Sequence, residues 1–377
     1  MKSLGIYIHI PFCEHKCPYC DFVSYDGKSA LMASYTECLV RQIMEYAPFT
    51  RGYSVNTVYI GGGTPTCLDG RLLSKLLTAI KKGFTLADGV EFTCEANPHS
   101  ALADKLKILR RGGVNRLSLG LQSAQSEELK VLGRIHTYED FVSSFKAARQ
   151  EGFDNINVDL MFAVPGQTMA SMEDTLSKVI SLSPEHVSAY SLTINENTPY
   201  YAMRDTLPLS DEELDRDLYK LTIDTLEAHG YEQYEISNFA KPGRRSRHNL
   251  RYWNCEEYIG LGCSAHSYFS GKRFAFLPDI DKYIDAVKNG RAIVSEVMDI
   301  APNEMVGEYI MLRFRLRDGI DVADFDRLFG FSFETAFAPQ IEKYMKSGHL
   351  KKSCGRYSLT LEGMNISNYI ISDFLEY

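Results

Sequence analysis

Leu4-Gly5-Ile6-Tyr7-Ile8-His9-Ile10-Pro11-Phe12-Cys13-Glu14-His15-Lys16-Cys17-Pro18-Tyr19-Cys20 is the stretch on which the fold turns. Its first seven residues alternate in the manner of a strand. The loop that follows places three thiols within eight residues. Two kinds of metal group suit it. Structural zinc wants four N/S ligands, which would recruit His15 beside Cys13, Cys17 and Cys20. His15 lies awkwardly between two of those ligands, and no distant CxxC completes a second knuckle. A [4Fe–4S] cube held by three thiolates leaves one iron open to a small-molecule ligand. The spacing favours the cube over zinc or inert thiols.

Working outward, short β-branched or aromatic runs at Leu4–Ile10, Asn56–Ile60, Val90–Cys94, Asn115–Leu119, Ile156–Leu160 and His186–Leu192 alternate with helical patterns. The helices are expected around 29–46, 71–82, 100–111, 138–151 and 169–182, with Thr137 capping the fourth and Gly152 closing it. This is βα repeated about six times, which implies an α/β fold with parallel strands and right-handed crossovers. In an α/β barrel the chemistry sits at the carboxyl ends of the strands. Here those ends carry Cys13, Gly61-Gly62-Gly63-Thr64-Pro65, Glu95-Ala96-Asn97-Pro98, Gly120-Leu121-Gln122-Ser123 and Asp159. Any one of these reads as a turn or cap; five at one rim read as a site. The tri-glycine lacks the Lys-Ser/Thr of a nucleotide triphosphate loop.

A further helix, roughly 211–229, is expected to start on the capping box Ser210-x-x-Glu213 and end at Gly230. Beyond it the chain is aromatic and Gly-rich, then helical. Near the end, two strands at His349–Ser353 and Arg356–Thr360, joined by Cys354-Gly355, follow a helix in the manner of a winged helix. Residues 304–377 hold nine Lys/Arg against eleven Asp/Glu, so this unit reads as a docking or packing module and not a DNA binder. We expect a barrel over 1–235, a connecting segment over 236–300, and a mainly helical, winged-helix-like domain over 301–377.

The 377 residues are 45% hydrophobic and 24% charged, an ordinary globular balance with ample core. A formal charge of −8 argues against nonspecific adhesion to nucleic acid or anionic lipid. No run approaches the ~18 apolar residues of a membrane span. The start shows no signal-peptide zones, so a cytoplasmic protein is expected. Nine cysteines are too few for a disulfide scaffold; the scattered six (Cys38, Cys67, Cys94, Cys255, Cys263, Cys354) read as buried small hydrophobes.

CxxxCxxC with Tyr19 before the last cysteine resembles the radical S-adenosylmethionine (SAM) superfamily. Together with Tyr7-Ile8-His9-Ile10-Pro11-Phe12-Cys13, Gly61–Pro65, Glu95-x-Asn97-Pro98, Gly120–Ser123, Leu132-Gly133-Arg134 and Asp159-Leu160-x-x-x-x-Pro165-Gly166, the likeness narrows to its coproporphyrinogen oxidase-like branch. The resemblance implies a partial (β/α)6, TIM-like barrel and a [4Fe–4S] cluster on Cys13, Cys17 and Cys20. In that superfamily SAM chelates the open iron, and an electron from the cluster cleaves its sulfonium. It also implies that Gly62, Gly63 and Thr64 meet the methionine end, as does Glu95. Gln122 and Asp159 then bind the ribose, Arg134 holds the methionine carboxylate, and Tyr7 and Tyr19 line the cofactor.

Within that branch, the oxygen-independent oxidase carries a further cysteine two positions after the third and an extension before the first strand. Here Phe22 stands at that position and the first strand begins at Leu4, which speaks against porphyrinogen decarboxylation. Arg247-His248-Asn249-Leu250-Arg251-Tyr252-Trp253 contains the H-N-x-x-Y-W pattern of the branch's haem chaperones. An imidazole can ligate iron, aromatic faces can pack on a porphyrin, and arginines can pair with propionates. The expectation is therefore a haem-binding protein, with His248 as iron ligand and Tyr252 and Trp253 (the sole tryptophan) beside it. Cys263 and His266, in Gly260-Leu261-Gly262-Cys263-Ser264-Ala265-His266, are alternative ligands. Acceptor apo-haemoproteins such as respiratory cytochromes, a low-potential electron donor and a homodimer complete the expectation.

Overall fold

The computed structural model describes residues 1–98 and 102–375. Six strands pair in parallel, in chain order: β1 (Lys2–Ile10), β2 (Tyr53–Gly62), β3 (Leu86–Ala96), β4 (Arg116–Gln122), β5 (Ile156–Phe162) and β6 (His186–Ser191). Helices Met32–Tyr46, Gly70–Gly83, Leu102–Gly112, Tyr138–Gln150 and Met169–Leu182 connect them. The expected start of the third near residue 100 lies outside the described residues.

Side chains on a strand alternate between its two faces. Leu4, Ile6, Ile8 and Ile10 of β1, and Leu117, Leu119 and Leu121 of β4, are fully buried under the helices. The opposite parity faces the bore and is polar: Tyr59 meets Glu95, Ser118 meets Asp159, and His186 meets Asn157. The fold is thus an open α/β barrel with an apolar outer layer and a polar, aromatic bore.

The helix after β6 runs Glu212–Ala228. Its cap is Asp211, which accepts from Leu214 N, and Ser210 Oγ has no hydrogen-bond partner. The carboxylate outcompetes the hydroxyl one residue earlier because an ionised acceptor at a helix start also gains from the helix dipole.

The segment 236–300 is no mere connector. β7 (Glu232–Glu235) and β8 (Asn238–Ala240) form a hairpin on β6. β9 (Tyr258–Leu261) pairs in parallel with β1, and β10 (His266–Phe269), β11 (Lys272–Phe276) and β12 (Val294–Asp299) continue antiparallel from it. The result is one twelve-stranded sheet with β12 at one edge and β7 at the other. Ser270-Gly271, both at positive φ, supply the tight turn that the β10–β11 hairpin needs.

The carboxyl-terminal unit follows with helix Pro302–Arg313 and a small sheet of β13 (Ile320–Asp321), β14 (Leu350–Ser353) and β15 (Arg356–Leu359). Its aromatic core centres on Phe325, Phe333, Phe337 and Phe374. Cys354 and Gly355 turn between β14 and β15 at φ of 48° and 75°. Cys354 is therefore exposed, unlike Cys38, Cys94 and Cys263, because a two-residue hairpin turn points out of the core.

Candidate functional site

The three-cysteine loop leaves β1 and folds back on itself, with Cys13 N donating to Tyr25 O at 2.9 Å and Cys20 N to Cys17 O at 3.1 Å. It roofs the carboxyl end of the bore. Cys13, Cys17 and Cys20 all border a cavity of about 360 Å³ inside the barrel, and Cys13 and Cys17 also border one of about 430 Å³ on its outer side.

The expected rim residues converge on the inner cavity: Gly62, Gly63, Thr64, Glu95, Gln122 and Asp159, with Tyr19 and Arg134 beside the loop. Arg134 points one N–H at Cys17 Sγ (3.6 Å), and its Nη2 donates to Asn97 Oδ1 (2.8 Å) and Gly120 O (3.2 Å). Asn97 in turn donates to Thr64 Oγ1 at 2.9 Å, and Thr64 Oγ1 approaches Cys13 Sγ at 3.9 Å. This chain of contacts ties the glycine turn, the third strand's end and the thiols into one assembly. Tyr7 is not among the inner-cavity residues but borders a separate cleft beside β1, its hydroxyl donating to His9 Nδ1 (2.8 Å) while His9 Nε2 donates to Val23 O (2.8 Å). Burial pushes His9 down to about 4, so it stays neutral in that relay.

The glycines answer to packing as well as to ligand approach. A Cβ on Gly62, at φ 111°, would lie 2.5 Å from the His9 ring, and one on Gly63 would lie 2.6 Å from Phe12 O. Glu95 accepts from Tyr59 OH (2.7 Å) and Gly62 N (3.1 Å). Burial nevertheless lifts its pKa to about 7, helped by Asp159 across the bore. Asp159, also raised by burial, accepts from Ser118 (2.9 Å) and Asn157 (2.7 Å).

The thiols fit a metal cluster on chemical grounds. Burial raises Cys13 and Cys20 above the ordinary thiol value, so as free thiols they stay protonated. Metal binding removes those protons, and the Arg134 guanidinium is placed to stabilise the thiolate charge. Among the described residues no three His, Cys, Asp or Glu side chains are disposed to hold a single metal ion.

The His248-Tyr252-Trp253 motif forms the helix Arg247–Trp253, and the structure splits it. Arg247 N and His248 N donate to the Glu91 carboxylate at 3.0 and 2.9 Å, fixing the helix against the bore. His248 is fully buried, stacked on Tyr59 at 5.2 Å. Its Nδ1 hydrogen-bonds Thr57 Oγ1 (2.9 Å) and its Nε2 hydrogen-bonds the Tyr252 hydroxyl (2.7 Å). Both ring nitrogens of His248 are thus engaged inside the protein, and burial, which lowers its pKa to about 3, keeps the ring neutral there. Trp253 faces the other way, beneath Arg315 at 4.5 Å, in the junction with the carboxyl-terminal unit. Cys263 is buried too, its thiol donating to Pro278 O at 3.0 Å. Tyr252 and His266 do share a surface, a cleft of about 330 Å³ beside β1. Tyr59, Tyr190 and Tyr258 were not singled out from the sequence; their inward parity on strands was the available signal.

The Radical SAM superfamily profile matches residues 7–179, and that of the HemN C-terminal domain matches residues 300–366. The chain is 37% identical to the heme chaperone HemW of Bacillus subtilis (strain 168), covering 100% of this chain and 99% of the relative. It is 35% identical to the HemW proteins of Lactococcus lactis (99% and 98% covered) and of Escherichia coli K12 (100% and 99%). Among solved structures, coproporphyrinogen III oxidase (HemN) of Escherichia coli, a radical SAM enzyme, superposes with a TM-score of 0.88 at 23% identity, covering 99% of this chain and 90% of that one. That likeness establishes the barrel and its carboxyl-terminal appendage as a shared fold. Identity above one third across the entire length goes further: the chain belongs to the HemW family of the radical SAM superfamily.

Proposed function

We propose that this chain binds haem and passes it to acceptor haemoproteins, with a [4Fe–4S] cluster and SAM as resident cofactors. The observation that carries the reading is full-length similarity to heme chaperones. Cys13, Cys17 and Cys20 would hold the cluster. Arg134 would receive the methionine carboxylate, since its guanidinium is already fixed by Asn97 and Gly120. Gly62, Gly63, Thr64 and Glu95 line the cavity where the methionine end fits, and Gln122 and Asp159 lie where a ribose fits. Tyr19 borders the same cavity, and Tyr7 borders the neighbouring cleft. When bound, the cluster supplies an electron to the sulfonium. The residues lining the inner cavity would hold SAM beside the three cysteines.

Tyr252 brings the His248 motif to the haem, and Trp253 fixes the domain behind it. Acceptors such as respiratory cytochromes, a low-potential electron donor, self-association and a cytoplasmic location belong to the same proposal. Among the described residues no helix is long and apolar enough to cross a membrane.

The test is anaerobic reconstitution with iron and sulfide analysis, followed by haem titration of the same sample. About four irons and four sulfides per chain are expected, lost in a Cys13/Cys17/Cys20 triple alanine, together with a Soret band on titration. Protoporphyrinogen formation at catalytic turnover from coproporphyrinogen and SAM would instead establish the oxidase.

A further inference from the structure

Nine histidines occur in the chain, and His99 lies outside the described residues. Of the rest, His9, His136, His186, His229, His248 and His349 each commit a ring nitrogen to a hydrogen bond. Among the described residues only His15, in the cysteine loop, and His266 leave both nitrogens without a hydrogen bond. His266 is exposed, and strand alternation sets its direction. Its neighbour Ser267 is buried on the other face, accepting from Gly260 N at 3.0 Å. His266 therefore turns into the cleft.

The rest of that cleft is aromatic. Tyr7, Tyr252, Tyr258 and Phe22 form its walls, with Tyr252 and Tyr258 edge to face at 4.6 Å. Phe22 is 66% exposed, a large apolar ring left in water at a cavity mouth. Phe22 and Asp21 also border the inner cavity beneath the three cysteines, so the two spaces share a wall. Asp21 accepts from Asn195 Nδ2 at 2.8 Å and puts a carboxylate on the rim.

We propose that this cleft is the haem-binding site, with His266 as the axial iron ligand and Phe22 and Tyr258 as the flat contacts of the porphyrin. The proposal rests on the haem-carrier reading above and names its site. An imidazole nitrogen without a hydrogen-bond partner, at the mouth of an aromatic cleft, is what an iron porphyrin recognises. Asp21 repels propionates, so the carboxylate edge of the macrocycle points to solvent. A single protein imidazole leaves the opposite face of the iron open to a ligand from an acceptor, which suits hand-over. His248 acts as a positioning residue: by holding the Tyr252 hydroxyl it fixes one wall of the cleft.

The test is hemin titration of the cluster-reconstituted full chain, comparing wild type with His266→Ala, Phe22→Ser and His248→Ala, with circular dichroism and iron content as folding controls. His266→Ala is expected to displace the Soret maximum and weaken binding by about tenfold or more, with millimolar imidazole restoring the wild-type spectrum. Phe22→Ser is expected to weaken binding with the Soret position kept. A His266→Ala protein with wild-type spectrum and affinity overturns the site while leaving the haem-carrier reading intact. Failure of wild type itself to bind hemin overturns both.

Discussion

Glu95 is the residue at which the bore's electrostatics can be read most directly. Its carboxyl is held near 7 when folded, against an ordinary 4.5, with burial the main cause. The folded chain therefore binds a proton that the unfolded chain has lost between those two values, so this group's contribution to stability falls as pH rises from about 4.5 to 7. Glu95→Gln is expected to stabilise the cluster-free protein on the order of 2 kcal/mol at pH 8, a figure discounted because the side chain keeps some surface toward the cavity. The gain should shrink toward zero at pH 5, read from urea midpoints at the two pH values; a gain independent of pH would remove Glu95 as the titrating group. Gly62→Ala tests packing instead. With φ 111° and the His9 ring 2.5 Å from the new Cβ, it should cost roughly 1–3 kcal/mol even without any ligand, measured by denaturation of the apo-protein. The cysteines and the rim were legible because their chemistry is written in contiguous residues. The occupancy of His248 was not, because its partners Thr57 and Glu91 come from strands more than a hundred residues away.

At the scale of elements, the βα alternation and the Thr137 cap could be read because both depend on neighbours in sequence. The strands of 236–300 could not. They are three to six residues long, and the two that anchor them, β8 and β9, gain their partners from the distant β6 and β1, so local sequence gives little to distinguish them from a loop. The shifted start of Glu212–Ala228 gives a compact test of local chemistry. Asp211→Ala should cost about 1 kcal/mol through loss of the cap. Ser210→Ala should stay within about 0.5 kcal/mol of wild type, because its hydroxyl has no partner to lose. Equal costs in chemical denaturation would return the cap to Ser210.

For the whole molecule, the decisive joint is the one between the barrel sheet and the carboxyl-terminal unit. Glu235, at the end of β7, is fully buried and pairs with Arg315 at 3.3 Å; the same guanidinium covers Trp253 at 4.5 Å. The backbone is stitched alongside, with Ile236 N donating to Arg315 O and Arg317 N to Tyr234 O, both at 3.1 Å. One arginine thus joins the barrel edge, the helix of the His248 motif and the appended unit. Arg315→Ala leaves the Glu235 carboxylate buried with only Ser237 N and the Asn238 amide as donors. Breaking one side of such a pair costs about 3–5 kcal/mol, and the partial exposure of Arg315 discounts the expectation to about 2 kcal/mol. Because the loss falls on the joint, hydrogen exchange should quicken first in helix Pro302–Arg313 and in the small sheet, with the iron and sulfide content of the reconstituted barrel unchanged. Trp253→Ala should reproduce that pattern, since the indole and the guanidinium support each other. Exchange that instead quickens evenly through β1 to β6 would mean that the appended unit is part of the barrel's own folding unit and not a body docked on it.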